Sequence, residues 1–314
     1  MAEETKDLYA GALSKRRRRS FLVDVFVRLF KEKPLGAVGA VIVLILLFVG
    51  IFANWLAPYG YNETWVGTKL DAPSVTHWMG TDNVGRDIMS RIIFGARVSM
   101  FVGLGASAIG CALNAIIGLT SGYAGGKLDL VIQRFVDAWV CFPFLFLLLT
   151  IMALIGAGVV QVIVVLGISG GIGGSRLMRS AVIAIKQNMY VEGARAIGAP
   201  TSTILLKHIL PNVMAPLIIM FTMGVGSSIL AEASISFLGY GIPPPAPSWG
   251  GMLSGGSRSY MIQAPWMAIF PGLSLSIVVY GANMFGDALR DLLDPRLRGG
   301  LGRYSGGPRK KVNV

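Results

Sequence analysis

Few residues in this chain could do chemistry, and they do not gather. The two histidines, His77 and His208, stand far apart, and Asp82 and Asp87 have no further ligands at a metal-binding spacing. Cys111 and Cys141 fall in apolar runs, where a thiol behaves as a small apolar group, so neither a disulfide framework nor a metal site is suggested. No Gly-x-x-x-x-Gly-Lys-Ser/Thr phosphate loop is present, so the chain does not bind ATP by that route. The chain is expected to have no catalytic residue and no metal. What stands out is a polar, basic stretch of small residues, Tyr190-Val191-Glu192-Gly193-Ala194-Arg195-Ala196-Ile197-Gly198, continuing through His208-Ile209-Leu210-Pro211-Asn212. Its chemistry is docking. Small side chains at Gly193, Ala194 and Ala196 let another surface approach the backbone, and Glu192 and Arg195 offer charged contacts. Residues 192–197 are helix formers apart from Gly193, Gly198 fits a helix stop, and residues 201–210 resume a periodic pattern that Pro211 ends.

The elements around this stretch are membrane helices. Only 14% of the 314 residues are charged, against roughly 25% in a soluble protein, so the apolar surface needs a bilayer to bury it. Residues 34–62, 98–126, 138–175 and 259–286 carry no charge, and residues 212–257 carry only Glu232 between Asn212 and Ser257. The run 138–175 is long enough for two spans of about 19 residues, joined at Gly156-Ala157-Gly158. The expectation is an all-α integral membrane protein of six transmembrane helices. An even number puts both termini on one side. With that side cytoplasmic, the outer loops hold only Lys69, Arg86, Arg91, Arg97 and Arg258 among the 28 Lys and Arg, which satisfies the positive-inside rule. The net charge of +12, including the run Lys15 to Arg19, therefore reads as a topology signal and not as nucleic-acid binding.

The chain divides into a cytoplasmic basic segment (1–34), a first span (35–57), an extracytoplasmic loop (58–97), a five-helix core (98–289) holding the docking loop (187–211), and a basic cytoplasmic tail (290–314). Residues 21–30 alternate large apolar groups with charges and suit either a surface amphipathic helix or a lead-in to the first span. The first apolar run starts too late and is too long for a cleavable signal peptide. In the outer loop, Asp82 and Arg86 are candidate contacts for a partner. From Ile88 the pattern turns helical, with Ile88, Ile92 and Ile93 on one face and Arg91 off it. Asn114 lies in mid-span, where a polar group needs a partner or water. Pro143 and Gly170-Gly171-Ile172-Gly173-Gly174 suit kinks, a hinge or tight packing. The fifth span carries Ser227, Ser228 and Glu232, candidates for a gate or translocation path or for bonds between helices. The proline-rich residues 239–251 cannot be helical and form a stiff outer loop, whose Trp249 is a candidate contact for a delivery protein or an interface anchor.

The docking stretch resembles the coupling loop of bacterial ATP-binding-cassette importer permeases, whose signature runs Glu-Ala-Ala, three residues, Gly, nine residues, Ile, one residue, Leu-Pro. Here Gly193 replaces the first Ala and His208 stands at the Ile position. Further stretches are similar to the permeases of dipeptide, oligopeptide and nickel importers: Met79-Gly80-Thr81-Asp82 through Gly85-Arg86-Asp87, Ile229-Leu230-Ala231-Glu232-Ala233-Ser234 through Phe237-Leu238-Gly239, Pro247-Ser248-Trp249-Gly250, and Gly286-Asp287-Ala288-Leu289-Arg290-Asp291 through Asp294-Pro295-Arg296-Leu297. The chain looks like the C-type permease subunit of such an importer. The resemblance implies the type I importer fold, a bacterial or archaeal plasma membrane, a heterodimer with a second permease, two cytoplasmic ATPase subunits that use ATP and Mg, and an extracytoplasmic solute-binding protein. Coupling to the ATPases would then fall on Glu192, Gly193, Ala194, Arg195, Gly198, Leu210 and Pro211. Peptides are the expected substrates, with nickel, opines or oligosaccharides as alternatives within the family. A secondary transporter would need more ionisable residues in its spans than Glu232, and a membrane enzyme would need a catalytic cluster.

Overall fold

In hydrocarbon the backbone must satisfy its own polar groups, and a single chain with apolar runs of this length does so as helices. A computed structural model describes residues 21–293 and holds these residues in helices and connecting segments, with one isolated bridge between Thr81 and Asp87. The expectations for the basic run at Lys15 to Arg19 and for the tail from residue 294 lie outside the described residues.

Helix α1 (Phe21–Glu32) leads into α2 (Pro34–Ile51), where Pro34 sits in the first turn and its missing N–H goes unused. A single turn, α3 (Ala53–Leu56), precedes the long segment that ends at Asp87. Asp87 starts α4 (Ile88–Ala124) by accepting the Ser90 N–H at 2.7 Å, the N-cap arrangement. Then come α5 (Gly126–Cys141), α6 (Phe144–Ile155), α7 (Val159–Lys186) and α8 (Met189–Ala196). The turn α9 (Thr201–Thr203) continues through a π turn (Ile204–Ile209) and a 3-10 turn (Leu210–Val213) into α10 (Met214–Phe237). Two short helices, α11 (Trp249–Leu253) and α12 (Gly255–Tyr260), precede α13 (Trp266–Leu293).

Among the described residues five stretches are long and apolar enough to cross a membrane: α2, α4, α7, Thr201–Phe237 and α13. A sixth exists only if α5 and α6 are one broken span, since they meet at 90°. The break falls at Phe142-Pro143, and α6 alone, at about 18 Å, is too short to cross about 30 Å of hydrocarbon. The third span expected over residues 138–156, with Pro143 as a candidate kink, is thus broken at Pro143 by a 90° bend. The Gly170–Gly174 stretch, read as a hinge or as tight packing, is continuous helix within α7 and packs closely at Gly171, where a Cβ would meet the Leu113 Cβ of α4 at 2.6 Å; α7 runs on to Lys186. Pro211 does not end the second docking helix. It sits in the first turn of the 3-10 segment, where its ring and missing donor are tolerated, and the preceding π turn brings the Leu210 N–H to the Leu205 carbonyl.

Four buried clusters hold the helices together. One joins Ile88, Ile92 and Ala96 of α4 to Ile229 of α10, Trp249 of α11 and Met267 and Val278 of α13. A second joins Val102 and Ala106 of α4 to Leu148 and Met152 of α6 and Val162, Val165 and Leu166 of α7. The third, at the Ala124 end of α4, gathers Leu119, Met178, Val182, Val191, Ala194, Ile204, Ile209 and Val213. The fourth fastens α1 to α2 and α13 through Leu29, Ala37, Ala40, Ala288 and Leu292, with Lys33 donating to Asp291 at 2.6 Å beside it. The outward face of α2 is apolar and exposed, with Leu44, Phe48 and Ile51 all more than half accessible. Such a face suits lipid.

Candidate functional site

The docking stretch is a helix laid on the third cluster. Val191 is fully buried and Ala194 nearly so, and both point into the core. Residues three and four apart share a helix face, so Met189, Glu192, Gly193, Ala196 and Ile197 fall on the opposite side. All five are exposed, Met189 at 88% and Ile197 at 85%. A Cβ on Gly193 would have nothing within 4 Å. Gly198 ends α8 with φ of +77°, a region L-residues avoid, and there its N–H bonds the Arg195 carbonyl at 3.0 Å while the Ala199 N–H bonds the Ala194 carbonyl at 3.1 Å. The chain then reverses into α9.

Of the residues expected to couple, Glu192, Gly193, Arg195, Gly198 and Pro211 are exposed, Leu210 is half-buried, and Ala194 is not free to touch a partner. Its small side chain serves the fit of α8 onto its own core. Met189 and Ile197 were missed by sequence reasoning. The signal was available: two large apolar residues eight apart, on the face away from Val191.

The candidates within the spans do not converge. Asn114 is buried on α4, close enough to Gly174 that a Cβ there would meet its Oδ1 at 2.7 Å, and that oxygen has no hydrogen-bond partner. The neighbour from α10 is Met220, whose Cε would lie 2.9 Å from the same Cβ. Glu232 lies twelve residues further along α10, about 18 Å away. Glu232 is fully buried and accepts from the Ser236 hydroxyl at 2.6 Å, and the same hydroxyl accepts the Ile242 N–H at 3.1 Å. This carboxylate thus ties the end of α10 to the proline-rich loop. Ser227 is exposed and donates to the Met223 carbonyl at 3.1 Å, and Ser228 is half-buried.

At the Ile88 end the structure corrects the sequence reading. Arg91, placed off the apolar face, is buried because residues 57–87 fold over it, and it donates to the Tyr61 carbonyl at 2.9 Å. Asp82 is buried and takes the N–H groups of Val84 and Arg86 at 2.9 and 3.0 Å and the Arg86 Nε at 2.7 Å. Trp249, expected on a rim, is only 2% exposed and begins α11, whose first turn is capped by Ser248 accepting the Gly251 N–H at 3.0 Å. Asp82 and Trp249 are thus engaged by their own chain, and only Arg86 of the three is partly accessible. A cavity of about 250 Å³ lies beside Asp82, Arg86, Arg91, Pro244, Met252 and Met267. Large exposed apolar groups in this part of the chain include Trp65, Val75, Trp78 and Ile262.

Comparison with known proteins fits this architecture. Residues 114–299 match the family model described as binding-protein-dependent transport system inner membrane component, and residues 20–73 match the N-terminal TM domain of oligopeptide transport permease C. The chain is 40% identical over 275 residues to the glutathione transport system permease protein GsiD of Escherichia coli O6:K15:H31 (strain 536 / UPEC), covering 87% of this chain and 90% of that one. The GsiD proteins of Shigella boydii serotype 4 (strain Sb227) and Escherichia coli O157:H7 match to the same extent. Apolar helices long enough to cross a membrane, with these relatives, define an ATP-binding-cassette importer permease of the bacterial inner membrane. The chain belongs to the binding-protein-dependent transport system inner membrane components and is of the oligopeptide transport permease C type.

Proposed function

We propose that this chain forms half of the translocation path of an ATP-driven peptide importer and takes its energy through α8. The path is completed by a second, related permease. Two cytoplasmic ATPase subunits use ATP and Mg, and an extracytoplasmic binding protein delivers the solute. The bent α5–α6 pair serves as the third of six spans, and both termini and the docking turn face the cytoplasm, in keeping with the distribution of Lys and Arg.

The observation that carries this reading is the two-sided α8. Val191 and Ala194 root it in the core, while Met189, Glu192 and Ile197 project from the far side. A helix held on one face and bare on the other moves as a body when a partner pushes it, and such a change needs contacts that differ between the two states. Ser227 and Ser228 are proposed to meet the solute path, with Asn114 buried between α4 and α7 and Glu232 closing the end of α10. Arg86, with the exposed Trp78 and Val75, is proposed to meet the binding protein above the buried Asp82 and Trp249.

Di- or oligopeptides are the proposed substrates, supported by relatives named for oligopeptide and glutathione transport. Nickel, opines and oligosaccharides are separated from peptides by titrating the cognate binding protein with each. For the docking role, Ile197→Cys in a Cys141→Ser background is crosslinked to an ATPase subunit carrying a single cysteine in its transmembrane-facing groove. A crosslink whose yield changes with ATP is expected. Its absence at both Ile197 and Met189 would overturn the reading, and uptake by the permease pair without ATP would point to a secondary transporter.

A further inference from the structure

One polar contact joins the docking turn to the last turn of α4. The Arg195 guanidinium carbon stands 5.6 Å from the ring centre of Tyr123, and the Lys186 ammonium stands 5.4 Å from the same ring. Lys186 also donates to the Tyr123 carbonyl at 2.5 Å. Tyr123 is half-buried, next to last in α4, and packs against the cluster that roots α8.

The neighbouring bonds are of another kind. Asp129 of α5 takes the Arg179 Nε at 2.7 Å and Nη2 at 2.5 Å, a forked pair with α7. Ser121 of α4 donates to the same carboxylate and accepts from Gln133 at 2.9 Å. Forked carboxylate–guanidinium bonds are directional and hold one geometry. They bolt the ends of α4, α5 and α7 together. A cation over an aromatic face is attracted across a broad area of ring, so the partners can slide or tilt without letting go. Beside the apolar packing around Leu119, the polar link between α8 and α4 is of this second type.

We propose that Tyr123 is the positioning residue that passes displacement of the α8 turn to α4, gripping Arg195 by its ring face while Lys186 holds its backbone. This rests on the docking role proposed above and names the route by which motion leaves the turn. The ring face does the work, so the phenol oxygen is dispensable and the ring is not. Asp129, Arg179 and Ser121 then carry α5 and α7 along with α4.

The test uses the complete importer, both permeases with ATPases and binding protein, in proteoliposomes, and reads solute taken up per ATP hydrolysed. Tyr123→Phe is expected to keep the wild-type ratio within about twofold, whereas Tyr123→Leu lowers it about fivefold, a loss of the size a solvent-exposed cation–ring contact supplies. Arg195→Met lowers the ratio to a similar degree, and the double variant is no worse than either single one, as two ends of one contact require. Thermal unfolding of the solubilised complex separates this from a structural role, which shifts the midpoint and leaves the ratio intact. A wild-type ratio in Tyr123→Leu, an equal loss in Tyr123→Phe, or multiplying losses in the double variant would overturn the proposal. Failure of the docking role itself is seen earlier and separately, as a wild-type permease that does not bind its ATPases through α8.

Discussion

The Trp249 indole N–H donates to the Ile92 carbonyl at 3.2 Å, and its ring lies so near Gly95 that a Cβ there would meet Nε1 at 2.7 Å. This contact fastens the proline-rich loop and α11 to the first turns of α4. Trp249→Phe is expected to cost about 1 kcal/mol through the lost hydrogen bond, and Trp249→Ala about 3–5 kcal/mol through the cavity left behind. Thermal unfolding in detergent checks the order. A weaker affinity for the binding protein in Trp249→Phe with stability intact would return this indole to the docking surface.

Gly198 and Gly193 have opposite reasons to be small. With φ of +77°, Gly198→Ala forces an L-residue into the left-handed region and costs about 1–2 kcal/mol. Gly193→Leu meets open space and leaves stability close to wild type, but it obstructs the exposed face of α8. Unfolding midpoints and ATPase copurification, measured together, should show stability falling in the first variant and association falling in the second.

Glu192 is exposed on the free side of α8, in its first turn, where a carboxylate also suits the helix dipole. Reversing its charge with Glu192→Lys is expected to lower uptake per ATP hydrolysed while membrane insertion stays normal. Unchanged transport by this variant removes Glu192 from the docking surface.

The contact between α4 and α7 needs glycine at some positions, while α7 merely contains it at others. Gly118→Leu on α4 drives a side chain into Met178, whose Cγ lies 2.4 Å from the Cβ position, and is expected to destabilise by about 1–3 kcal/mol. Gly170 and Gly173 have nothing within 4 Å of a Cβ, so alanine at either should be neutral or stabilise by up to about 1 kcal/mol. Full transport by Gly170→Ala with Gly173→Ala is expected. Loss of transport in a well-expressed protein would mean that α7 bends during the cycle.

The sequence exposed those features whose cause is local. Residues 88–93 announce a helix because Asp87 caps it and Ile88, Ile92 and Ile93 repeat on one face, and all three are buried. Gly198 stops a helix because its own backbone must turn left-handed. Features set by distant contacts were hidden. An uncharged run does not reveal that Pro143 turns the chain by 90°, because the same residues would serve a straight span with a kink. Pro211 reads as a stop until it is seen in the first turn of a 3-10 segment, where its missing donor is tolerated. The burial of Arg91, Asp82 and Trp249 depends on residues 57–87 and 239–251 folding over them, and neither segment has a periodicity that points to the surface it covers. The candidate site was legible as a helix and a turn. Which face of that helix is free was not, because Val191 and Ala194 find their cover in residues as far away as Leu119 and Val213.

Helix α4 is 37 residues long, about 55 Å, in a membrane whose oily layer is about 30 Å deep. Its two protruding ends carry the clasp to Trp249 and the grip on Arg195. An unbroken beam of that length needs no joint to send a signal across the lipid: a lean of about ten degrees carries one tip roughly 10 Å sideways relative to the other. On the proposed function, whatever jostles the tyrosine is felt at the tryptophan, and a solute carrier arriving on one face of the cell membrane would be sensed by the engine on the other.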